Sequence, residues 1–317
     1  MPMVVVGNVF VDFKGFPEGI YIPAGRNAGR VEIVHGGVGR NVAEDIANVE
    51  LRPRFVSMVD NTAQGAEVLR KLQNHKVDTS FISVVPDGMG IWLAVMDHNG
   101  DVVGSISKRP KMDAMLKLLQ DHGDEIFADA TSVVIEIDID KAVAQETFRF
   151  AEKYGVPTCA LVANMSIAQQ RRDLIKRTSC FICNQQEAGI FFADDFSTCS
   201  PEQMAEELHG RIRAAGLNSM VVTMGAQGSV WAEAGDEYGY GVCPPIQVRV
   251  CDTTGAGDAF CAGVSIGLSY GKTLAEACMI GTRLASATIT VPESVCPRFL
   301  PQELGLNISE REQMNLF

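Results

Sequence analysis

The chain is short of positive charge. Its 27 Lys and Arg stand against 39 Asp and Glu, a net charge of −12. A surface that grips a phosphate backbone needs clustered Lys and Arg, so this balance excludes a nucleic-acid partner. It leaves room for a small anionic cosubstrate, which backbone N–H groups alone can hold. The sequence also lacks any apolar run long enough to cross a bilayer, so no membrane role is expected. The opening "MPMVVVGNVF" has no basic stretch, and its apolar run is too short for a signal peptide. A disulfide framework is missing too: the nine cysteines are odd in number and scattered through apolar surroundings. That usage fits reduced thiols in a cytoplasmic protein.

What is present is ample for one large α/β domain with an appendage: 317 residues, 46% apolar and 21% charged. Short Val- and Ile-rich runs alternate with amphipathic stretches. "MVVVG", "PRFVSMVD", "SVVIEID", "PTCALVA", "CFICN", "SMVVTMG" and "QVRVCD" read as strands. "GRNVAEDIANVE", "GAEVLRKLQNH", "KAVAQETFRFAEKYG", "PEQMAEELHGRIRAAG" and "DAFCAGVSIGLSY" read as helices. Strands alternating with helices predict a mainly parallel sheet covered on both faces. Two regions break this rhythm, about 11–34 and 88–108. The second reads as a hairpin turning at Asn99-Gly100. Together they predict a small β-sheet lid on a single α/β domain spanning 1–317.

The densest chemistry lies in "CDTTGAGDAF" (251–260). Gly255, Ala256 and Gly257 precede an apolar helix, so their N–H groups and the helix dipole form an anion hole. Asp258 falls in the first helical turn, where it can accept a proton from an attacking hydroxyl. The dipole is expected to keep it ionised and therefore a weak base. The same residues would also serve as a glycine turn with a capping aspartate. "HGGVGRNVAEDIA" (35–47) is a second close-approach loop, with Gly36, Gly37 and the amide of Asn41 available to ligand hydroxyls. Asp12 follows the first strand, where α/β proteins bind ligands. In "CNQQEAG" (183–189), Asn184 and Glu187 are spaced as a helix cap and capping-box glutamate. In "VVTMGAQGSV" (221–230), Thr223, Gly225 and Gly228 could simply turn a hairpin. Cys180 and Cys183 lie on an apolar run and read as buried structural thiols. Arg40 reads as a solvated arginine, while Arg109 near the hairpin could meet an anion or a base.

Taken in order, these segments resemble the ribokinase (PfkB) family of carbohydrate and nucleoside kinases. "DTTGAGDAF" looks like the family's D-T-x-G-A-G-D signature. The resemblance implies a ribokinase-like α/β/α fold and an ATP-dependent kinase acting on a hydroxyl of a sugar or nucleoside. Pseudouridine or ribose is such a substrate, and "GRVEIV" with "GGVGRN" is similar to the pseudouridine kinase branch. By this resemblance Asp258 is the catalytic base, the 255–257 amides are the anion hole, and Asp12, Gly36, Gly37 and Asn41 hold the acceptor. Asn184, Thr223, Gly225, Gly228 and Thr254 attend the nucleotide, Glu187 holds Mg²⁺ through water, and Asp252 marks a monovalent-cation (K⁺) site.

The chain departs from the family pattern in places. Val38 stands where some members have lysine, Ala163 and Asn164 replace a D-P-x element, and "PESVCPRFL" (292–300) lacks the small residues of a potassium loop. Apolar lid strands need cover, which suggests a lid-to-lid homodimer. Two rival readings remain at this stage. One is a non-catalytic sensor on the same fold. The other is a nicotinamide dehydrogenase, disfavoured because "GNVFVD" lacks G-x-G-x-x-G.

Overall fold

A computed structural model describes residues 2–98, 101–235 and 239–306. The first third of the chain forms β1 (Met3–Val6), β2 (Phe10–Pro17), β3 (Gly29–Gly36), α1 (Val38–Asn48), β4 (Arg54–Val59), α2 (Ala63–Asn74), β5 (Ile82–Val84), β6 (Gly90–Met96) and β7 (Val102–Lys108). The middle adds α3 (Asp113–Phe127), β8 (Ser132–Glu136), α4 (Lys141–Lys153), β9 (Thr158–Leu161), the single turns α5 (Met165–Ala168) and α6 (Arg172–Ile175), β10 (Cys180–Asn184) and α7 (Gln185–Phe192). The remainder is α8 (Pro201–Ala215), β11 (Ser219–Thr223), β12 (Ser229–Glu233), β13 (Tyr240–Cys243), α9 (Ala256–Ser269) and α10 (Leu274–Thr288).

Nine strands make one sheet in the order β13-β12-β11-β10-β9-β8-β1-β4-β5. Its members from β11 to β5 run parallel, and β12 and β13 turn back antiparallel at one edge. The apolar run of β1 explains its central place, because all four of its residues are buried. Val4 and Val6 pack on one side of the sheet with α3, α4 and α8. Met3 and Val5 pack on the other with α1, α9 and α10. That two-sided burial is what a parallel strand under two helical layers requires. The three layers are those of the ribokinase-like fold expected from the sequence.

The second sheet has four strands in the order β3-β2-β6-β7. Its pairing places Val34, Asp12, Trp92 and Ser107 in one cross-strand row, and Ile33, Phe13, Leu93 and Ile106 in the next. Adjacent rows face opposite sides. The Asn99-Gly100 turn lies outside the described residues.

Three local readings need amendment. "QVRVCD" is not a strand: the sheet ends at β13, and Pro244-Pro245, lacking N–H donors, leads the chain off unpaired. Two long helices, α3 and α10, were not distinguished from their surroundings. In α10 the small residues that obscure its periodicity serve packing, since a Cβ at Gly263 of α9 would lie 2.6 Å from the Gly281 Cα of α10. This close seam seats α9, buried from Ala259 to Gly267, as a rigid base for its own N-terminus.

Candidate active site

The parallel strands deliver polar residues to one edge. Glu136, Asn184 and Thr223 are the last residues of β8, β10 and β11, which point the same way. Ligands of open α/β sheets bind beyond such carboxyl ends.

One cavity of about 340 Å³ is lined by Thr223, Gly225, Gly228, Ala256, Gly257 and the ring of Phe260. The unpaired 245–250 segment and α10 residues Thr282, Ala285 and Ser286 close its apolar side. Gly255, directly before the lining residue Ala256, caps α9 with φ +81, a conformation that disfavours a side chain. A Cβ there would also lie 1.9 Å from the Ser294 carbonyl oxygen, whereas one at Gly257 would meet nothing within 4 Å. The glycines thus bring bare backbone to the cavity. The preceding loop is fixed by Asp252, whose Oδ1 accepts from the Thr254 N–H and hydroxyl, both at 2.8 Å. Those bonds outweigh the desolvation of Asp252 and hold its carboxyl below the usual range.

A second cavity of about 350 Å³ is lined by Asp12, Gly37, Phe10, Trp92, Arg109 and Asn164. Gly37 caps α1 at φ +102, and a Cβ there would sit 2.5 Å from the Asn8 carbonyl oxygen. Asp12 backs onto Gly36, where a Cβ would lie 2.4 Å from its Oδ2. Burial raises the Asp12 carboxyl above its ordinary pKa, partly offset by Lys14 and Arg40. Arg109 donates to the carboxylate and the carbonyl of Asp138, at 2.7 and 2.8 Å. Asp138 Oδ1 in turn accepts from the Ala163 N–H at 2.8 Å, so the stretch around Asn164 is tied to the same wall.

Asp258 connects elements that line the two cavities. It follows Gly257 of the first, and its Oδ2 accepts a 2.6 Å hydrogen bond from Asn41 Nδ2, four residues beyond Gly37 of the second. Its ionisation departs from the sequence reading. Burial pushes its carboxyl up to about 6, against the lowering influence of Asn41 and Arg40, with Glu187 adding to the rise. Desolvation therefore overrides the helix dipole. Asn41 is buried, with its amide engaged by Asp258 instead of being free for a ligand alone. Arg40 is not solvated: it is 1% exposed and paired with Glu44.

Asn184 and Glu187 form a reciprocal capping box on α7, each accepting at 2.8 Å from the other's backbone N–H. Burial raises the Glu187 carboxyl, moderated by the Asn184 N–H. Among the described residues no group of three or more His, Cys, Asp or Glu gathers to hold a metal. The hard oxygen chemistry of Glu187 suits Mg²⁺ reached through water and shared with phosphates. Cys180 and Cys183 are buried, as their apolar run predicts.

Three residues of the second cavity escaped the sequence reading. Phe10 and Trp92 flank Asp12, Phe10 two residues before it on β2 and Trp92 directly across on β6. Glu136 is buried in the same cavity wall, accepting from the Asn8 N–H at 2.9 Å and its amide at 3.1 Å. Burial, then Asp138, raise it to about 7 against those bonds and Arg109. The usable signals were alternation on a lid strand and a carboxylate ending an otherwise apolar strand.

A family model described as pfkB family carbohydrate kinase matches residues 2–297. The chain is 31% identical over 291 residues to guanosine-inosine kinase of Exiguobacterium acetylicum, covering 92% of this chain and 95% of that one. It is 24% identical over 267 residues to pseudouridine kinase of Escherichia coli (strain K12), covering 83% and 82%. The Arabidopsis thaliana ribokinase structure complexed with ribose and ATP superposes with a TM-score of 0.79 at 21% identity, over 96% of this chain and 98% of that one.

Proposed function

The chain belongs to the pfkB family of carbohydrate kinases, and from that membership we propose that it transfers the terminal phosphoryl group of ATP to a hydroxyl of a nucleoside, with Asp258 as general base. The observation that carries this reading is the hydrogen bond by which Asn41 ties Asp258, one residue past the bare Gly257 of the first cavity, to the helix whose cap Gly37 lines the cavity holding Asp12. ATP would lie along the Thr223–Gly228 turn with its phosphates at the Ala256 and Gly257 amides. Those amides face charge that develops during transfer, where fixed dipoles act most strongly. Mg²⁺ would be held by the phosphates and, through water, by Glu187, and would neutralise phosphate charge.

The chain's own residues supply the rest. Asp12 is placed to accept hydrogen bonds from two acceptor hydroxyls. Asn41 fixes one oxygen of Asp258 and leaves the other for the attacking hydroxyl. A base with a pKa near 6 is mostly ionised at neutral pH yet still takes up a proton readily. A nucleoside is favoured over a free sugar by the Phe10 and Trp92 side chains beside Asp12, since aromatic faces stack on bases. Guanosine-inosine and pseudouridine kinases among the relatives support the same choice. A homodimer is supported by the outward row of the lid, in which Ile33, Leu93 and Ile106 are 54%, 47% and 69% exposed.

The test is ADP release over a panel of guanosine, inosine, pseudouridine, ribose and fructose, with and without potassium. Turnover on a nucleoside, lost by about 10²–10⁴-fold in Asp258→Asn, is the expected result. ATP binding without ADP release on any acceptor would instead identify a non-catalytic sensor, and turnover retained in Asp258→Asn removes the base assignment.

A further inference from the structure

Behind the catalytic pair lies a buried charged cluster that phosphoryl transfer does not itself call for. Arg40 and Glu44 face each other one turn apart on α1, 1% and 0% exposed. Lys71 and His75, from α2 and its C-terminus, approach Glu44 from the other side at 3.1 and 3.5 Å. Burial would raise the Glu44 carboxyl, but Arg40, Lys71 and His75 together hold it below its ordinary value. A buried ion pair is weak evidence for stability, because desolvation offsets most of the attraction. Its remaining contacts therefore matter more than its charge balance.

Those contacts join three separate parts of the site. Nη2 of Arg40 donates to the His35 carbonyl and, at 3.3 Å, to the Ser294 hydroxyl. Its Nε reaches the Gly36 carbonyl at 3.4 Å. His35 and Gly36 lead directly into Gly37 of the acceptor cavity. The Ser294 carbonyl backs Gly255 of the anion hole, and its hydroxyl also donates to Asn41 Oδ1 at 3.4 Å. Asn41 in turn holds Asp258. One guanidinium thus touches the acceptor loop, the loop behind the anion hole and, through Ser294, the amide that orients the base.

We propose that Arg40 is a positioning residue whose planar fork, anchored by Glu44, holds the acceptor loop and the anion-hole loop in register so that Asn41 presents Asp258 to the acceptor hydroxyl. The inference rests on Asp258 being the proton acceptor. Only an arginine meets these demands, since a lysine offers a single ammonium and no fixed fork. The charged and titratable groups around Asp258 are Arg40 and Asp45 of α1, Glu187 of α7 and Cys261 of its own helix. Among these described residues Arg40 is the cation.

The test compares the full-length protein with Arg40→Lys and with Arg40→Met/Glu44→Gln, which removes both members of the buried pair and so leaves no unpaired Glu44 charge to unfold the chain. Each is followed by thermal melting, by kcat and acceptor KM, and by carbon NMR titration of the Asp258 carboxyl in the free protein. Arg40→Lys keeps the charge and loses the fork, so it is expected to leave the Asp258 titration in place while lowering kcat about tenfold and raising acceptor KM. The paired variant is expected to lose kcat by about 10–100-fold and to move the Asp258 titration upward. The proposal is overturned if Arg40→Lys keeps unaltered kcat and KM, if the losses vanish when rates are divided by the folded fraction, or if the Asp258 titration does not move in the paired variant. The titration needs no turnover. An unaltered protein that releases no ADP therefore refutes the kinase reading and leaves this coupling still measurable.

Discussion

Replacing Asn41 by leucine should separate two roles that this amide could have. Its Nδ2 lies 2.6 Å from Asp258 Oδ2 and lowers a carboxyl that burial has raised to about 6. Leucine keeps the branched heavy-atom shape and removes the donor. A hydrogen bond to a charged group is worth about 1.5–3 kcal/mol, and one pH unit corresponds to about 1.4 kcal/mol. The Asp258 pKa should therefore rise by about one to two pH units in Asn41→Leu. The ionised form is the active one, so activity falls as pH drops through the pKa, and a higher pKa moves that acid limb to higher pH. Asp258 is about 90% ionised at pH 7 in the unaltered protein. In the variant the fraction falls to roughly 10–50%, which lowers kcat/KM at pH 7 about two- to tenfold and lets it recover near pH 9. The assay is initial-rate ADP release from about pH 5 to 9. An acid limb that stays in place, or a loss that persists at high pH, would falsify the orienting role and return Asn41 to direct binding of acceptor hydroxyls.

Other outcomes follow from the same geometry. Trp92→Ala should raise KM for nucleosides about 10–100-fold through loss of base stacking, with far less effect on a free pentose; equal losses on both would remove the stacking role. Gly255→Ala places a side chain at φ +81 and 1.9 Å from the Ser294 carbonyl oxygen, and should lower stability by more than about 1–2 kcal/mol in urea unfolding along with turnover. Unaltered stability would mean that the loop yields freely. Sedimentation should find a homodimer that Ile33→Glu with Ile106→Glu converts to monomer, and a monomeric unaltered chain would reject the lid-to-lid contact.

How far the sequence carries depends on what each residue meets. The glycine turn that opens α9 was legible because Gly255 and Gly257 are placed by backbone demands that lie within one segment. The glycine cap of α1 at Gly37 could be read for the same local reason, and the three-layer order from the alternation of strands and helices. The ionisation of Asp258 could not, because burial depends on α1 and α7, far away in the chain. Arg40 was misread although its partner Glu44 stands four residues on, at helical pairing distance. A lone arginine in a loop-to-helix segment reads as solvated, and the further groups that face Glu44, Lys71 and His75, come from α2 and its C-terminus. "QVRVCD" alternates like a strand, but β13 is already the sheet's edge and offers it no ladder. Phe10 and Trp92 were lost in a segment that reads only as irregular until its four strands pair.

The hydrogen bond between Asn41 and Asp258 joins residues 217 positions apart, and this bears on how the protein is made. Strand β1 precedes β4 and β8 in the chain yet lies between them, so a chain that has not reached β8 has an unfinished sheet. Helix α9, with the proposed phosphate-binding amides, is made long after the loop proposed to hold the acceptor. Under the proposed assignment, a chain halted before α9 lacks both Asp258 and the amides beside it, so idle ATP hydrolysis by unfinished molecules is not expected.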